Sequence, residues 1–352
     1  MLSPSKDAES GSDNARAREW IVLGLAAVTV AFHIYLIFSG LIPNLISRPV
    51  HMAMALPWVF VFARTENLLE RWVGYVLCIF GVVACAYVAV FEDALGDQYG
   101  YLTGGWQMFL AIALIVTVLE MARRAISWPL PLVAMIVLCY GLFGELIPGE
   151  FGHPGLPVAS LLGNLTIAEA GFWGPLTGVS VNVVAVFVIL GAVLNAGEAG
   201  QGFMNLAIAV AGRLRAGAAK VSVLASALFG SLSGSASANV ASTGAITLPA
   251  MKRLGYPPSL AAAVEAVASS GGQIMPPLMG AGAFVMVELL GVPYTDIMAA
   301  ALLPSLLFFF AVWVGVDGFA KKHDLKPMDA SERPDRRTLI ITGLFFAVPF
   351  AV

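Results

Sequence analysis

The sequence contains few charged residues, and this scarcity limits the class of protein that it encodes. Charged residues make up 12% of the 352 residues and hydrophobic residues 59%, whereas a soluble domain is about a quarter charged and about half apolar. The 19 Lys+Arg against 22 Asp+Glu give no excess of positive charge, which nucleic-acid binding needs. We therefore predict a membrane protein without a nucleic-acid partner.

Residues that carry catalysis or bind metals are also scarce. The three cysteines lie inside apolar runs, so neither a disulfide framework nor a zinc site is expected. The four histidines are scattered and suggest no metal site. The nearest approach to a nucleotide-binding P-loop, Gly212 to Gly217, is followed by Ala218 where a lysine is needed. The sequence thus predicts no enzyme, no cofactor and no ATP-driven pump.

Long apolar runs are what the sequence has instead. A helix needs about 20 apolar residues to cross the hydrocarbon core of a bilayer. Six uncharged runs reach this length, and a weaker seventh is interrupted by Pro57. These predicted spans are residues 20–42, 72–91, 98–119, 125–144, 170–197, 297–316 and, more weakly, 49–63. The fold class is therefore an all-α polytopic membrane protein in contact with lipid.

The distribution of lysine and arginine predicts the orientation of these spans. Cations favour cytoplasmic loops. Loops that carry them, around residues 64–71, 123–124, 213–220 and 321–337, alternate with loops that have none, at 92–97, 145–169 and 291–296. We expect a cytoplasmic N-terminus, with Arg48 as the one cation on the wrong side and residues 1–19 as a polar, disordered tail.

A re-entrant hairpin is predicted in the uncharged residues 221–251, which lie between Lys220 and Lys252. With both ends cytoplasmic, the segment must enter the membrane and return. Its middle, residues 230–239, reads GSLSGSASAN, and glycine and serine at this density disfavour a helix. We predict a non-helical tip, with the second arm of the hairpin beginning near Val240.

The hairpin tip is a predicted binding site, because irregular backbone at membrane depth is tolerated only inside protein or along a wet cavity. Its oxygen donors for a small cation are Ser231, Ser233, Ser235 and Asn239. The helix after the tip offers free N–H groups to an anion, and Thr243 lies one turn beyond Asn239. The alternative is that these small residues only permit close helix packing.

A second break is predicted within residues 254–290, which would overshoot the bilayer as one straight helix. Residues 271–277 read GGQIMPP, and two prolines after two glycines disfavour a regular helix. Further oxygen donors near this break are Ser269, Ser270 and Gln273. A simple proline kink is the alternative. Glu265, an ionisable residue inside the span, is a candidate for coupling-ion or proton binding, unless it lies shallow enough to be solvated.

Three motifs in a fixed order resemble a known family. They are GSLSGSASAN at residues 230–239, LPAMKRLGYP at 248–257, and the segment 261–277 that ends in GGQIMPP. They resemble the fused permease of tripartite ATP-independent periplasmic (TRAP) transporters, in the variant served by a TAXI-type substrate-binding protein. The resemblance extends from about Trp20 over nearly the whole chain.

The resemblance implies a fold and an activity. The fold is an elevator-type, ion-transporter-like fold with a re-entrant hairpin and a broken helix, of which only the first inverted half is present. The activity is sodium-coupled secondary import of organic acids across the bacterial inner membrane. A periplasmic TAXI-type binding protein would deliver the substrate, and sodium would be the coupling ion. Dicarboxylates, oxo acids and amino acids all remain open as substrates.

The resemblance also implies site residues. Sodium would be bound by Ser233, Ser235, Asn239, Gly271, Gly272 and Gln273. The substrate carboxylate would lie near Ser231, Gly234, Ala236, Thr243 and Pro276. An amphipathic stretch, residues 203–214, would be an arm helix that joins scaffold and transport domain.

The domain organisation follows from the same resemblance. It comprises a cytoplasmic tail (1–19), a small-subunit-like scaffold of four to five helices (20–147), a scaffold helix and arm helix (148–220), the first hairpin and broken helix of the transport domain (221–290), and a further span, a cytoplasmic loop and an incomplete last helix (291–352). We expect a C-terminally truncated permease, whose missing half is supplied in cis or in trans. The alternatives are a channel, or a fragment of a sodium/carboxylate carrier that needs no binding protein.

Overall fold

The computed structural model describes residues 6–40, 42–63, 65–196, 199–329 and 333–351, and within these ranges it contains helices and no strand. The α-helices are α1 (Lys6–Ser39), α2 (Asn44–Pro57), α3 (Leu68–Val90), α4 (Glu92–Gly96), α5 (Gly105–Ala125), α6 (Pro129–Phe143), α7 (Val158–Thr166), α8 (Pro175–Val179), α9 (Ala185–Ala196), α10 (Ala199–Ala211), α11 (Gly217–Ser233), α12 (Ala236–Arg253), α13 (Pro258–Gly271), α14 (Ala281–Leu290), α15 (Tyr294–His323) and α16 (Arg336–Ala351). Two π-helical turns, Trp58–Phe62 and Ser180–Val184, continue α2 and α8.

Seven helical segments within the described residues are long and apolar enough to cross a membrane. They are Arg18–Ser39, Asn44–Phe62, Leu68–Val90, Gly105–Ala125, Pro129–Leu146, Pro175–Val193 and Tyr294–His323. Each overlaps one of the seven predicted spans, including the weak one at residues 49–63. Pro57 does not end that span, because the helix passes through it and continues as the π-helical turn.

The described part of the tail that was predicted to be disordered is helical. Helix α1 begins at Lys6, so residues 6–19 extend the first span, and residues 1–5 lie outside the described ranges. The physical reason is nucleation. An apolar helix that is already formed supplies the costly first turn, and the alanine, glutamate and arginine residues before it propagate a helix well.

The chain divides into two compact units, Met1–Val183 and Val184–Val352. In the first unit, α2, α3 and α5 pack around a core of large apolar side chains that includes Leu56, Phe60, Leu114 and Trp173. Arg48, the cation that broke the predicted charge pattern, donates a hydrogen bond to the Trp173 carbonyl. Its charge is therefore held by a backbone dipole within the unit.

In the second unit, α11, α12 and α13 pack against one another, and α10 and α15 pack against α11. The core here consists mainly of small side chains, among them Ala219, Ala225, Ala261 and Ala268, which are all fully buried. Small residues let helix backbones approach closely. This packing fixes the relative positions of the polar residues described next. The predicted domain limits within the chain stay predictions.

Candidate functional site

The predicted re-entrant hairpin corresponds to helices α11 and α12, which pack side by side. Helix α11 ends at Ser233, and the next residue, Gly234, has a φ of +57°, the left-handed conformation that favours glycine. A Cβ atom at Gly234 would lie 2.0 Å from the Met279 carbonyl oxygen. Helix α12 then begins with Ser235 as its N-cap, whose Oγ accepts a hydrogen bond from the Ala238 N–H at 3.4 Å. One glycine and one capping serine are thus enough to reverse the chain.

The tip of the hairpin is shorter than predicted. Ser231 and Ser233 belong to α11, and α12 begins at Ala236 instead of near Val240. The alanines that alternate with the serines favour a helix, and the cap at Ser235 stabilises its first turn. Serine density was therefore a poor guide to where the helices end, and Asn239 projects from a helix instead of an irregular loop.

The predicted broken helix is present as α13, a 3₁₀ turn at Gly272–Ile274, a non-helical stretch at residues 275–280, and α14. Proline at 276 and 277 has no N–H to donate, so the helix ladder cannot continue. The Gly280 N–H donates to the Gln273 carbonyl at 2.6 Å, and the Leu278 N–H donates to the Ser231 carbonyl at 3.3 Å. The break therefore folds back against the end of α11.

The hairpin and the break touch at two glycines. A Cβ atom at Gly230 would lie 2.2 Å from the Gly272 Cα atom, so the two backbones are in direct contact there. Asn239 lies beside this contact and is 1% exposed. Its Nδ2 atom donates to the Ser226 carbonyl at 2.8 Å and to the Ser269 carbonyl at 3.5 Å. Its Oδ1 atom is buried and accepts no hydrogen bond within the described structure.

The structure thus brings together only some of the predicted sodium ligands. Asn239 and Gly272 are adjacent, and α13 ends at Gly271, directly before the contact. The side chains of Ser233 and Gln273 are exposed. The hydroxyl of Ser235 is engaged in capping and lies 3.2 Å from the Ser237 hydroxyl.

The predicted substrate residues are also placed unequally. Gly234 and Ala236 lie at the turn of the hairpin, and Pro276 is half-buried in the break. Ser231 is buried, and its hydroxyl donates to the Leu228 carbonyl at 2.6 Å. Thr243 is fully buried. Its side chain lies in a different polar cluster, described next.

A cluster of hydroxyl groups surrounds Glu265, which is 1% exposed. Ser222 on α11 donates to Oε2 at 2.8 Å and Thr247 on α12 donates to Oε2 at 2.5 Å. Thr243 on α12 and Ser269 on α13 contact Oε1, the latter at 3.3 Å. We call these four residues and Glu265 the hydroxyl cage. It lies between the three helices α11, α12 and α13.

Glu265, Thr243 and Ser269 were candidate site residues from the sequence, whereas Ser222 and Thr247 were not predicted. A signal was available. In each of the three helices, polar residues recur four positions apart, which places them on one face. The stripes are Ser222 and Ser226, then Asn239, Thr243 and Thr247, then Glu265 and Ser269. Ser226 joins the stripes, because its Oγ lies 3.4 Å from the Thr243 hydroxyl and 3.3 Å from the Ser269 hydroxyl.

Charged groups of the second unit lie away from this cage. The Lys220 ammonium is 2.7 Å from the Asp317 carboxylate and 5.1 Å from the centre of the Trp313 ring. In the loop between α12 and α13, burial raises the pKa of the Tyr256 phenol to about 12, so this side chain is neutral at physiological pH. No group of three histidine, cysteine, aspartate or glutamate residues converges within the described residues.

Comparison with known proteins identifies the family. The model of the family "Tripartite ATP-independent periplasmic transporter, DctM component" matches residues 113–352. An uncharacterized protein, y4mL of Sinorhizobium fredii, is 33% identical over 131 residues, which cover 36% of this chain and 31% of that protein. The C4-dicarboxylate TRAP transporter large permease protein DctM of Pseudomonas aeruginosa is 36% identical over 94 residues, which cover 27% of this chain and 22% of that protein.

A third relative is the isethionate TRAP transporter permease protein DctMQ of Oleidesulfovibrio alaskensis. It is 29% identical over 152 residues, 42% of this chain and 24% of that protein. The chain matches about a third of the length of the first curated relatives, 31% and 34%. The DctM and DctMQ relatives are permease components of transporters, not enzymes. Since the family match covers more than half of the chain, the chain belongs to the DctM family of TRAP transporter permeases.

Proposed function

We propose that this chain is part of the membrane permease of a sodium-coupled, binding-protein-dependent secondary transporter that imports organic acids. The named relatives carry C4-dicarboxylate, isethionate and 2,3-diketo-L-gulonate in their names. These are small organic anions, and this supports the substrate class.

The observation that carries the sodium proposal is the unpaired Oδ1 atom of Asn239. A buried polar atom without a hydrogen bond costs about 1–3 kcal/mol, so such atoms are rare unless they have a role. Amide and carbonyl oxygens are ligands for hard cations, and carriers place such sites where helices are interrupted at mid-membrane. Helix α13 ends at Gly271, and the following Gly272 contacts the Asn239 side chain, so such an interruption lies directly beside this residue.

The substrate carboxylate is proposed to bind at the turn of the hairpin. The first turn of α12, which begins at Ala236, presents N–H groups without helical acceptors. Such a terminus favours an anion. Gly234 lies directly before this turn and contacts the Met279 carbonyl of the break. Thr243 is left out of the substrate site, because its hydroxyl is buried in the hydroxyl cage.

The remaining features of the proposal extend the family assignment. Transport would proceed by an elevator movement of the hairpin and broken helix, with a TAXI-type binding protein on the periplasmic side of the inner membrane. Residues 20–147, most of which precede the matched range, would be a fused small-subunit scaffold. A second inverted half, in cis or in trans, would complete the site. The alternating cation-rich loops support a cytoplasmic N-terminus.

The test uses the complete permease and its binding protein in liposomes. Uptake should require both an inward sodium gradient and the binding protein. Asn239→Ala should raise the sodium concentration that gives half-maximal uptake, because the cation loses an oxygen ligand. Ser242→Ala is the matched control, since its exposed hydroxyl on the same helix bonds only the Ala238 carbonyl, at 3.0 Å.

Three results would contradict the proposal. Uptake in the absence of sodium would show that sodium is not the coupling ion. Uptake without any binding protein would indicate a sodium/carboxylate carrier that needs none. A conductive flux of substrate that does not saturate would indicate a channel. An unchanged sodium dependence in Asn239→Ala would remove Asn239 from the site while leaving the transport function in place.

A further inference from the structure

The hydroxyl cage buries a carboxyl group that has no positively charged neighbour. The four hydroxyls of Ser222, Thr243, Thr247 and Ser269 are the hydrogen-bonding partners of Glu265 in the described structure, and no ion pair involves it there. An ionised carboxylate that is removed from water without a compensating charge is strongly unfavourable. Something mobile must therefore compensate this charge if the segment moves through the membrane.

The charged residues on the helices that pack against α13 do not supply that compensation. They are Lys220 on α11, Lys252 and Arg253 on α12, and Asp296, Asp317, Lys321, Lys322 and His323 on α15. Lys220 pairs with Asp317. Lys252 and Arg253 are exposed at the last turn of α12, and Lys321, Lys322 and His323 are exposed at the last turn of α15. Asp296 lies in the first turn of α15.

The geometry of the cage favours a proton over a metal ion. Both carboxyl oxygens are in contact with two hydroxyls each. The backbone also closes on the side chain, because a Cβ atom at Gly244 would lie 3.3 Å from the Glu265 Cγ atom. A metal ion would have to push these hydroxyls apart. A proton adds no volume.

The two threonines allow the cage to accept either charge state. Thr243 lies 2.8 Å from the Asn239 carbonyl, and Thr247 lies 3.0 Å from the Thr243 carbonyl, in addition to their contacts with Glu265. Each hydroxyl has one proton and can also accept. Opposite an ionised Glu265 they donate to the carboxylate. Opposite a protonated Glu265 they donate to the helix carbonyls, a common arrangement for threonine, and one of them accepts the carboxyl proton.

We propose that Glu265 is a proton-binding site of the hairpin region and that the proton which it carries crosses the membrane with the substrate. The inference rests on the proposed transport function. The step is a simple exchange with water. On the outer side, one carboxylate oxygen takes a proton from water. The neutral acid then crosses the membrane together with its hydroxyl cage. On the inner side, the same O–H bond breaks, the proton returns to water and the carboxylate forms again.

The first experiment follows the carboxyl group directly, by infrared difference spectroscopy of the purified complete permease during a pH titration. We expect a carboxylic-acid C=O band that is lost at alkaline pH, absent in Glu265→Gln and retained in Glu288→Gln. Glu288 is the control because it is only half-buried, on α14. A Glu265 carboxylate that stays ionised throughout the titration would overturn the proposal. This result does not depend on transport activity.

A second variant tests the role of the cage. Within the described part of the chain, the hydrogen bond of the Ser222 hydroxyl is to Glu265, at 2.8 Å. Ser222→Ala removes a donor that stabilises the ionised form, so the midpoint of the infrared titration should shift to higher pH. Ser270→Ala should leave it unchanged, because that exposed hydroxyl bonds the Ala266 carbonyl. An unchanged midpoint in Ser222→Ala would contradict the cage, and this comparison holds even where Glu265→Gln does not fold.

The transport experiment separates this inference from the proposed function. In liposomes with binding protein and constant sodium, an inward proton gradient should accelerate wild-type uptake. Glu265→Gln should lose this acceleration. It should still exchange substrate when the substrate concentration is equal on both sides of the membrane. If the proton gradient does not change wild-type uptake and Glu265→Gln changes only the sodium dependence, Glu265 binds sodium and not a proton. No sodium-dependent uptake in the wild type would instead contradict the proposed function.

Discussion

The helices inside the two units of this chain differ in the side chains that they bury. The largest fully buried side chains of the first unit are apolar, with Leu56, Phe60, Leu114 and Trp173 among them. Helices α11, α12 and α13 of the second unit bury alanine, serine, threonine and one glutamate. Both regions belong to a chain of low charge, so composition alone does not distinguish them.

This difference in buried side chains suits the first unit to structural support and the helices α11, α12 and α13 to the proposed ion binding. Large apolar side chains interdigitate and hold one arrangement of helices. Small side chains bring backbones into contact and leave room for polar atoms inside, which in a membrane is unfavourable unless every such atom has a partner. Within the described residues, Asn239 Oδ1 lacks a hydrogen-bond donor and the Glu265 carboxyl lacks an ion pair. The proposed ion-binding function would account for both.

The largest expected effect on stability lies in the apolar region. Leu56 is fully buried on α2, so Leu56→Ala should lower the free energy of unfolding by about 2–5 kcal/mol through lost burial and a remaining cavity. Leu69→Ala, at a side chain that is 71% exposed, is the control and should change little. Thermal unfolding of the complete permease in detergent measures both. If folded Leu56→Ala changes the sodium dependence of uptake, the core of the first unit does more than support the structure.

A smaller effect on stability, but a larger one on transport, is expected at the glycine contact. Gly230→Ala places a Cβ atom 2.2 Å from the Gly272 Cα atom, so the hairpin and the break must separate. We expect a loss of about 1–3 kcal/mol in unfolding free energy and loss of uptake. Gly282→Ala has no atom within 4 Å of the added carbon and should retain uptake. Equal uptake in the two variants would show that the contact is dispensable.

Much of this architecture could be predicted from the sequence, because its signals are local. Uncharged runs of helical length located all seven candidate spans. The cations Lys220 and Lys252 delimited the hairpin, and the GGQIMPP segment marked the break between α13 and α14. Each of these signals depends on residues that are adjacent in the chain.

The ends of the hairpin helices and the hydroxyl cage were not predicted, and the reasons differ. The tip was overestimated because a cap at Ser235 competes with the weak helix propensity of serine, and the cap prevails. The cage requires that three helices present their polar faces to one another. Spacing reveals each face, but the pairing of Ser222 with Glu265, 43 residues apart, is a tertiary contact.

The smallest effect on the free energy of unfolding is expected when a buried threonine is replaced by valine in each of the two regions. Thr117 on α5 and Thr247 on α12 are both buried, and threonine to valine removes only the hydroxyl donor. The Thr117 hydroxyl contacts two backbone carbonyls, of Ala113 and Leu77, whereas the Thr247 hydroxyl contacts the Glu265 carboxyl. Helix carbonyls keep their N–H partners, so Thr117→Val should change the unfolding free energy by less than about 0.5–1 kcal/mol.

Thr247→Val should cost about 1–2 kcal/mol, because a buried carboxyl oxygen loses a donor. The proposed proton exchange at Glu265 predicts that this cost changes with pH, because the carboxylate depends more on its donors than the neutral acid does. The cost of Thr117→Val should stay constant. Denaturant unfolding of the complete permease at two pH values measures the difference. Equal costs at both pH values would mean that the polar interior of α11, α12 and α13 is only packing, as the core of the first unit is.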